Sequence, residues 1–411
     1  MKNIFTLVLT LFSLALAAQN FTFTNYTEAE GLISNTVNCV TVDAADNIWF
    51  GTQNGISKFD GTTWTSMDQS THPGLVDNSI TAIFVDKDDV LWVGTDFGVS
   101  RLDGADFSTF TVDDGLADNR VTHITQGPEG IVWIANKDGV TLAEEGAGWS
   151  SLVMADGIPF GGVTHTNFGS FGRKYFSTPL SGLLMYDGVF LTAITENDGL
   201  VSEKIRSSAI GLDGKNWIAT SSGIAVLDDL DKHLVNYTRI FELPAPDTLN
   251  PVEDVKIDSK GRIWAGVYID YLVTEGGVSM FNGSEWQDYD VSDGMIGPVV
   301  RQLAIDSEDN VWVATSTGVT KISEPTTSVS EIAETGFEVF PNPVSDILTI
   351  KIDENLDFQT TDLRMYNPLG QLVKSLPIAN YADQIEVSVS GFSKGFYFVS
   401  IGGRSLKVLV E

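Results

Sequence analysis

Four histidines, one cysteine and 55 carboxylates are the groups from which this chain could assemble chemistry. Metal centres and nucleophilic sites need such groups at set spacings, and those spacings are absent. His72, His123, His165 and His233 never pair at ligand distance along the sequence, and neither a His-Glu-x-x-His nor a Cys-x-x-Cys run occurs. No nucleophile elbow surrounds a serine. A Ser-His-Asp triad is assembled in space, so spacing alone leaves it open. Cys39 lies in the run Val37-Asn38-Cys39-Val40 and reads as a buried, inert thiol; as the single cysteine it excludes an intramolecular disulfide. The acidic runs 43–47, 86–89 and 306–310 have the composition of calcium loops but lack the EF-hand spacing and its bidentate glutamate. They recur where a hairpin needs turn formers and read as turns, so no cofactor is expected beyond weak divalent-cation binding there.

The binding candidates come instead from departures in an otherwise regular pattern. In most repeats a glycine follows a key aromatic by six residues, as Gly55, Gly98, Gly139, Gly223 and Gly318 do. After Trp264 the corresponding glycine is Gly277, so residues 267–276 contain an insertion carrying Tyr268, Asp270, Tyr271 and Glu275. A second insertion, at about residues 239–251, includes Phe241, Glu242 and Asp247. Loops between repeats should reach the same face, bringing Arg120, Lys204, Asp254 and Arg301 to one mouth. Tyrosines that stack and arginines that bond in pairs would suit a sugar or a peptide.

The elements that must position these residues are written into the repeat. The aromatics Trp49, Trp92, Trp133, Tyr175, Trp217, Trp264 and Trp312 stand about 41 to 48 residues apart, a period of units that cannot bury their own apolar face and must stack. Within residues 74–110, 80–86, 90–95, 99–102 and 107–112 read as four strands separated by turn formers. Asp60-Gly61, Asp103-Gly104, Asp187-Gly188 and Asn282-Gly283 mark two-residue hairpin turns. Four short strands at this period predict a β-propeller. The last repeat stops after Ile322 without its fourth strand, and residues 21–27 have the pattern that is missing. The expectation is an all-β, seven-bladed propeller closed by strands from both ends, which removes exposed sheet edges.

At the N-terminus, Lys2, the apolar run from Ile4 to Ala17 and the small residues around Ala18 read as a secretory signal over residues 1–18. No later apolar run is long enough to span a bilayer, so no transmembrane segment is expected. The net charge of −31 repels phosphate backbones and anionic lipid, which argues against nucleic acid and membrane partners. Residues 323–336 are polar and acidic and read as a linker. Residues 337–411 alternate short apolar strands with Gly and Pro turns, the pattern of a small Ig-like β-sandwich.

These motifs carry two resemblances. The run of Gly31-Leu32, Ile48-Trp49-Phe50-Gly51-Thr52, Gly55-Ile56 and Phe59-Asp60-Gly61 resembles the two-component-regulator propeller repeat, found mostly in periplasmic sensor halves of bacterial hybrid histidine kinases. It covers about residues 21–322 and is specific in six repeats. The fourth departs, with Tyr175 for Trp and with Gly161, Gly162 and Gly169 in its strands. Residues 323–411 read as neither a kinase nor a DNA-binding segment. Phe340-Pro341-Asn342-Pro343, Tyr366-Asn367-Pro368-Leu369-Gly370 and Gly395-Phe396-Tyr397 resemble the type A sorting domain of the type IX secretion system of Bacteroidetes-like bacteria. Glu411 departs from the basic or apolar end common there. This second resemblance implies export, contact of residues 337–411 with the secretion machinery and a sortase-like peptidase, and release or surface attachment.

The domain order expected is therefore a signal peptide (1–18), a propeller (19–322), a linker (323–336) and a sorting domain (337–411). The functional expectation is a non-enzymatic ligand-binding module for a glycan or peptide. A polysaccharide lyase or hydrolase and a purely structural or adhesive surface protein are the alternatives.

Overall fold

The computed structural model describes residues 21–104, 106–144, 148–242, 250–268, 275–325, 337–352, 362–367, 371–378, 384–401 and 404–411. It divides into two compact units between Pro325 and Thr326.

Each blade of the first unit begins on an inner strand: Val37–Val42, Ala82–Val85, Val121–Gln126, His165–Phe168, Ile205–Ile210, Val252–Ile257 and Val300–Ile305. Each opens a four-stranded antiparallel sheet, and among the described residues of this unit there are seven such sheets. Each inner strand packs on the next, and Val300–Ile305 packs on Val37–Val42, so the ring closes. We number the blades 1 to 7 in that order. The second strand of blade 1, Ile48–Thr52, is buried at every position, because neighbouring blades cover both its faces. The tight turn after it needs a positive φ: Gly98 adopts +132°, and a Cβ there would stand 2.5 Å from the carbonyl oxygen of Phe110.

The recurring acidic turns prove to be clamps. In blade 2 the Asp86 carboxylate accepts the N–H groups of Asp88 and Val90 through one oxygen and the Trp92 indole N–H at 2.9 Å through the other. Asp43 with Trp49, Asp258 with Trp264 and Asp306 with Trp312 repeat this bond. Blade 3 has Gly127 in the clamp position, and the buried Trp133 indole N–H has no hydrogen-bond partner among the described residues. In blade 4 the Tyr175 hydroxyl donates instead to Asp231, at 2.5 Å. Cys39 is buried against Gly51, and burial pushes its thiol up to about 12.

Blade 7 is completed from the N-terminus. Thr22–Tyr26 pairs antiparallel with Gly318–Ser323, Thr22 opposite Ser323 and Tyr26 opposite Val319. Phe21 meets Trp264 and Tyr289 edge-on at 5.3 and 5.4 Å, and Tyr26 stacks on Trp312 at 5.7 Å. Ser323 and Glu324, whose composition suggests the start of a linker, belong to the ring: Ser323 is paired, and Glu324 accepts an ion pair from Arg262 at 2.7 Å.

The second unit is a β-sandwich. Phe337–Phe340, Ile347–Ile352 and Gln384–Ser388 form one sheet; Leu372–Pro377, Asp362–Tyr366, Gly395–Ile401 and Arg404–Val410 form the other. Leu348, Ile350, Leu363, Met365, Val399 and Val408 fill the space between them. Asn342, between its two prolines, donates to the Lys407 carbonyl and accepts the Leu409 N–H, which locks the opening turn to the last strand. The signal segment 1–18 lies outside the described residues. Among the described residues no helix is long and apolar enough to cross a membrane.

Candidate functional site

One register position organises the channel mouth. Asn38, Thr81, Thr122, Thr164, Arg206, Glu253 and Arg301 each stand eleven residues before the aromatic of their repeat, so one comes from each blade. In five blades the ladder slips here: the pairing jumps from Val37 to Cys39, Val121 to His123, Ile205 to Ser207, Val252 to Asp254 and Val300 to Gln302. The skipped residue is a β-bulge, freed from the ladder and turned toward the mouth.

In blades 1 to 4 this residue stitches the ring. The Asn38 amide donates to the Ile80 carbonyl (2.8 Å), Thr81 to that of Val121 (2.7 Å), Thr122 to that of Val163 (2.6 Å) and Thr164 to that of Ile205 (3.2 Å). Each bond crosses to the next blade. In blades 5 to 7 the neutral stitch is replaced by charge. Arg206 donates to the Glu253 carboxylate at 2.8 Å, and Arg301 donates across the seam to the Asn38 amide oxygen at 2.7 Å.

Two adjoining hollows open at this mouth. One, of about 610 Å³, is lined by Asn38, Arg206, Glu253, Tyr268 and Arg301 among others. The other, of about 520 Å³, shares Thr81, Arg206 and Glu253 and adds Asp96, Lys137 and Lys204. The structure thus brings together three of the residues expected from sequence, Tyr268, Arg301 and Lys204. Tyr268 ends the strand Ile263–Tyr268, from which the first insertion departs.

The remaining candidates fare differently. Asp254 is not at the mouth: it is 2% exposed and accepts the Lys256 ammonium (3.0 Å) and the N–H groups of Val255 and Leu303. Its neighbour Glu253 occupies the mouth instead, because the bulge selects the residue one position earlier. Arg120 stands outside the lining of both hollows and forms a two-bond pair with Asp118, at 2.9 and 3.0 Å. That pair holds the Asp118 carboxyl below its usual range. Glu275 is half-buried at the root of the returning strand Gly276–Phe281. Asp270 and Tyr271 lie outside the described residues, as does Asp247.

The second insertion is anchored away from the mouth. Ile240 and Phe241 donate their N–H groups to Asn250, and Ser279 donates to the Ile240 carbonyl. Asp288 accepts the Glu242 N–H through one carboxyl oxygen at 2.6 Å and lies 2.6 Å from the Ser279 hydroxyl oxygen through the other. Burial is the largest influence on Asp288 and raises its carboxyl above the usual aspartate range.

Below the mouth, inner strands of all seven blades line a channel space of about 440 Å³. There the rings of His123 and His165 lie 4.0 Å apart, tilted by 35°. Burial lowers both well below the usual histidine range, and the Lys256 charge adds to the effect. Among the described residues no group of three or more His, Cys, Asp or Glu could hold a metal. The two histidines are distant in sequence spacing yet share one position, ten residues before Trp133 and Tyr175. Aligning the repeats on their aromatics is the signal that finds this pair and the mouth residues Arg206 and Glu253.

A two component regulator propeller family matches residues 31–54 and 74–97, and a secretion system C-terminal sorting domain family matches residues 338–410. The chain is similar to the extracellular domain of BT3049, assigned to a hybrid two component system of B. thetaiotaomicron, at 16% identity and a TM-score of 0.63; the match covers 95% of this chain and 57% of that one. It is similar to PorZ, a surface component of the type-IX secretion system of Porphyromonas gingivalis, at 15% identity and a TM-score of 0.59, covering 92% and 60%. These identities establish likeness of fold alone. Beta-agarase A of Zobellia galactanivorans is 25% identical over 134 residues, which are 30% of this chain and 23% of that protein. The chain thus spans less than two thirds of the length of each of these relatives. With its ring and its terminal sandwich accounted for, the chain joins a propeller with repeats that match the two component regulator propeller family at residues 31–54 and 74–97 to a type IX secretion sorting domain, which sends it out of the cell or to its surface.

Proposed function

We infer that this exported propeller is a binding module whose ligand, a glycan or a peptide, seats at the channel mouth over blades 5 to 7. One observation carries the reading: at a position where four blades use Asn or Thr to stitch the ring, three use Arg206, Glu253 and Arg301, next to Tyr268. Stitching needs only a neutral donor, as blades 1 to 4 demonstrate, so charge at the other three serves something besides closure. A rigid ring that holds such groups in one concave place has the features of a recognition site. The enzymatic alternative needs carboxylates converging at the mouth. Asp254, one of the residues it would draw on, has both oxygens occupied inside the wall. Delivery to the surface through residues 338–410 would present the mouth to extracellular material, with a sortase-like peptidase removing the sorting domain.

The test is a glycan and peptide array probed with the full chain and with a Tyr268→Ala/Arg301→Ala variant of unchanged circular dichroism. Loss of about tenfold or more in affinity for an array hit is expected from removing a stacking ring and a guanidinium together. Unchanged affinity in the variant rules the mouth out, and a silent array supports the structural or adhesive alternative.

A further inference from the structure

The electrostatics of the mouth run against those of the chain. A molecule of net charge −31 has only 24 lysines and arginines. Four of them, Lys137, Lys204, Arg206 and Arg301, line the two adjoining hollows, against the carboxylates Glu253 and Asp96. Among the described residues, only Arg206 of these cations is neutralised, by Glu253. Arg301 bonds to a neutral amide, and no described carboxylate lies within ion-pair distance of Arg301, Lys137 or Lys204. Cations left unpaired where the rest of the surface could supply carboxylates form a local field that attracts anions and repels cationic partners.

The rest of the lining narrows the class. Thr36, Asn38, Gln53, Ser79, Thr81 and Thr122 present hydroxyls and amides, the groups that exchange hydrogen bonds with a polyol. The apolar lining residues, such as Val299, Val300 and Pro179, are few, and they form no deep apolar cup for the anchoring side chain of a peptide. Tyr268 provides an aromatic ring beside Arg301.

Resting on the proposed binding role of the mouth, we propose that the ligand is an anionic oligosaccharide whose carboxylate or sulfate groups are taken up by Arg301 and by Lys137 and Lys204, with Tyr268 against a sugar face. Arg206 and Glu253 hold the floor between the two hollows. Carboxylate and sulfate share the chemistry of recognition, planar or tetrahedral oxygens facing guanidinium and ammonium donors.

Isothermal titration of the full chain with matched probes separates the possibilities. The probes are oligogalacturonate and its methyl ester, a sulfated galactan oligosaccharide and its desulfated form, and an oligoglutamate peptide. The expected result is that one of the charged saccharides binds about tenfold or more tighter than its neutral partner, an advantage that shrinks as salt rises from about 50 to 300 mM. Which charged probe wins identifies carboxylate or sulfate. Arg301→Gln keeps a donor for Asn38 while removing the charge, so it should cut the advantage severalfold with the melting temperature unchanged. Equal binding of charged and neutral saccharides, weakened alike by Tyr268→Ala, overturns the anionic class and leaves the binding role standing. Tight binding of the oligoglutamate with none of the saccharides overturns the saccharide class. Binding indifferent to both Tyr268→Ala and Arg301→Gln, or absent for every probe, overturns this proposal and the mouth together.

Discussion

Asp86 shows how much structure one repeated carboxylate can hold. Its two oxygens secure a turn and the indole of Trp92 in a buried setting, so Asp86→Ala leaves three donors without an acceptor. Stranded buried donors are costly, and a loss of about 3 kcal/mol is expected, read from chemical denaturation; a change within error would mean the turn holds itself. Asp288 makes the opposite kind of contribution. Its carboxyl is raised chiefly by burial, so the folded chain takes up this proton more readily than the unfolded chain. Its stabilising effect is full below the usual aspartate value and is lost as pH rises through the raised one. Asp288→Asn keeps an oxygen for the Glu242 N–H, turns its amide N–H toward the Ser279 oxygen and has no charge to bury. Relative to the parent, the variant should gain stability progressively above about pH 4. Thermal melts from pH 4 to 8 whose difference stays constant would refute the assignment.

At the scale of elements, the decisive piece is the strand Thr22–Tyr26, paired with a strand about three hundred residues away in sequence. The sequence made this pairing legible because the last repeat lacks a fourth strand and residues 21–27 have the pattern of one. Phe21, wedged against Trp264 and Tyr289, is its anchor. Phe21→Ala should cost about 3 kcal/mol through lost burial and a residual cavity, with Phe21→Leu recovering part of it. A melting temperature unmoved by either change would show that the ring is closed by other means. The insertions were legible only as extra length. Tyr268 reaches the mouth, whereas Ile240 and Phe241 are buried in the apolar core that they share with blade 6. Residue count does not say which way a loop folds back.

At the scale of the whole molecule, cargo and address are separate units. The seven sheets use strands that end by Ser323, and the sorting sandwich has its own core. A chain ending at Pro325 is therefore expected to keep a cooperative melt and the far-ultraviolet signature of strands, yet to be retained within the envelope of the cell that makes it. Fractionation with immunoblotting checks this; truncated protein on the surface or in the medium would show that residues 326–411 are not required for export.

What the sequence determined by itself is what depends on local spacing. The repeat period, the acidic turns between first and second strands, the missing last strand and the terminal sorting module all rest on residues near one another along the chain. Tertiary structure decided which neighbour in a strand faces the mouth and which groups meet across the ring. A bulge turns Glu253 outward and Asp254 into the wall, which charge alone could not distinguish. Ring closure sets Arg301 beside Asn38, and the packing of blade 3 on blade 4 sets His123 against His165. The physical reason is that a strand offers two faces with equal right to any residue. Only the hydrogen-bond register, and the neighbouring blade it packs against, settles the choice.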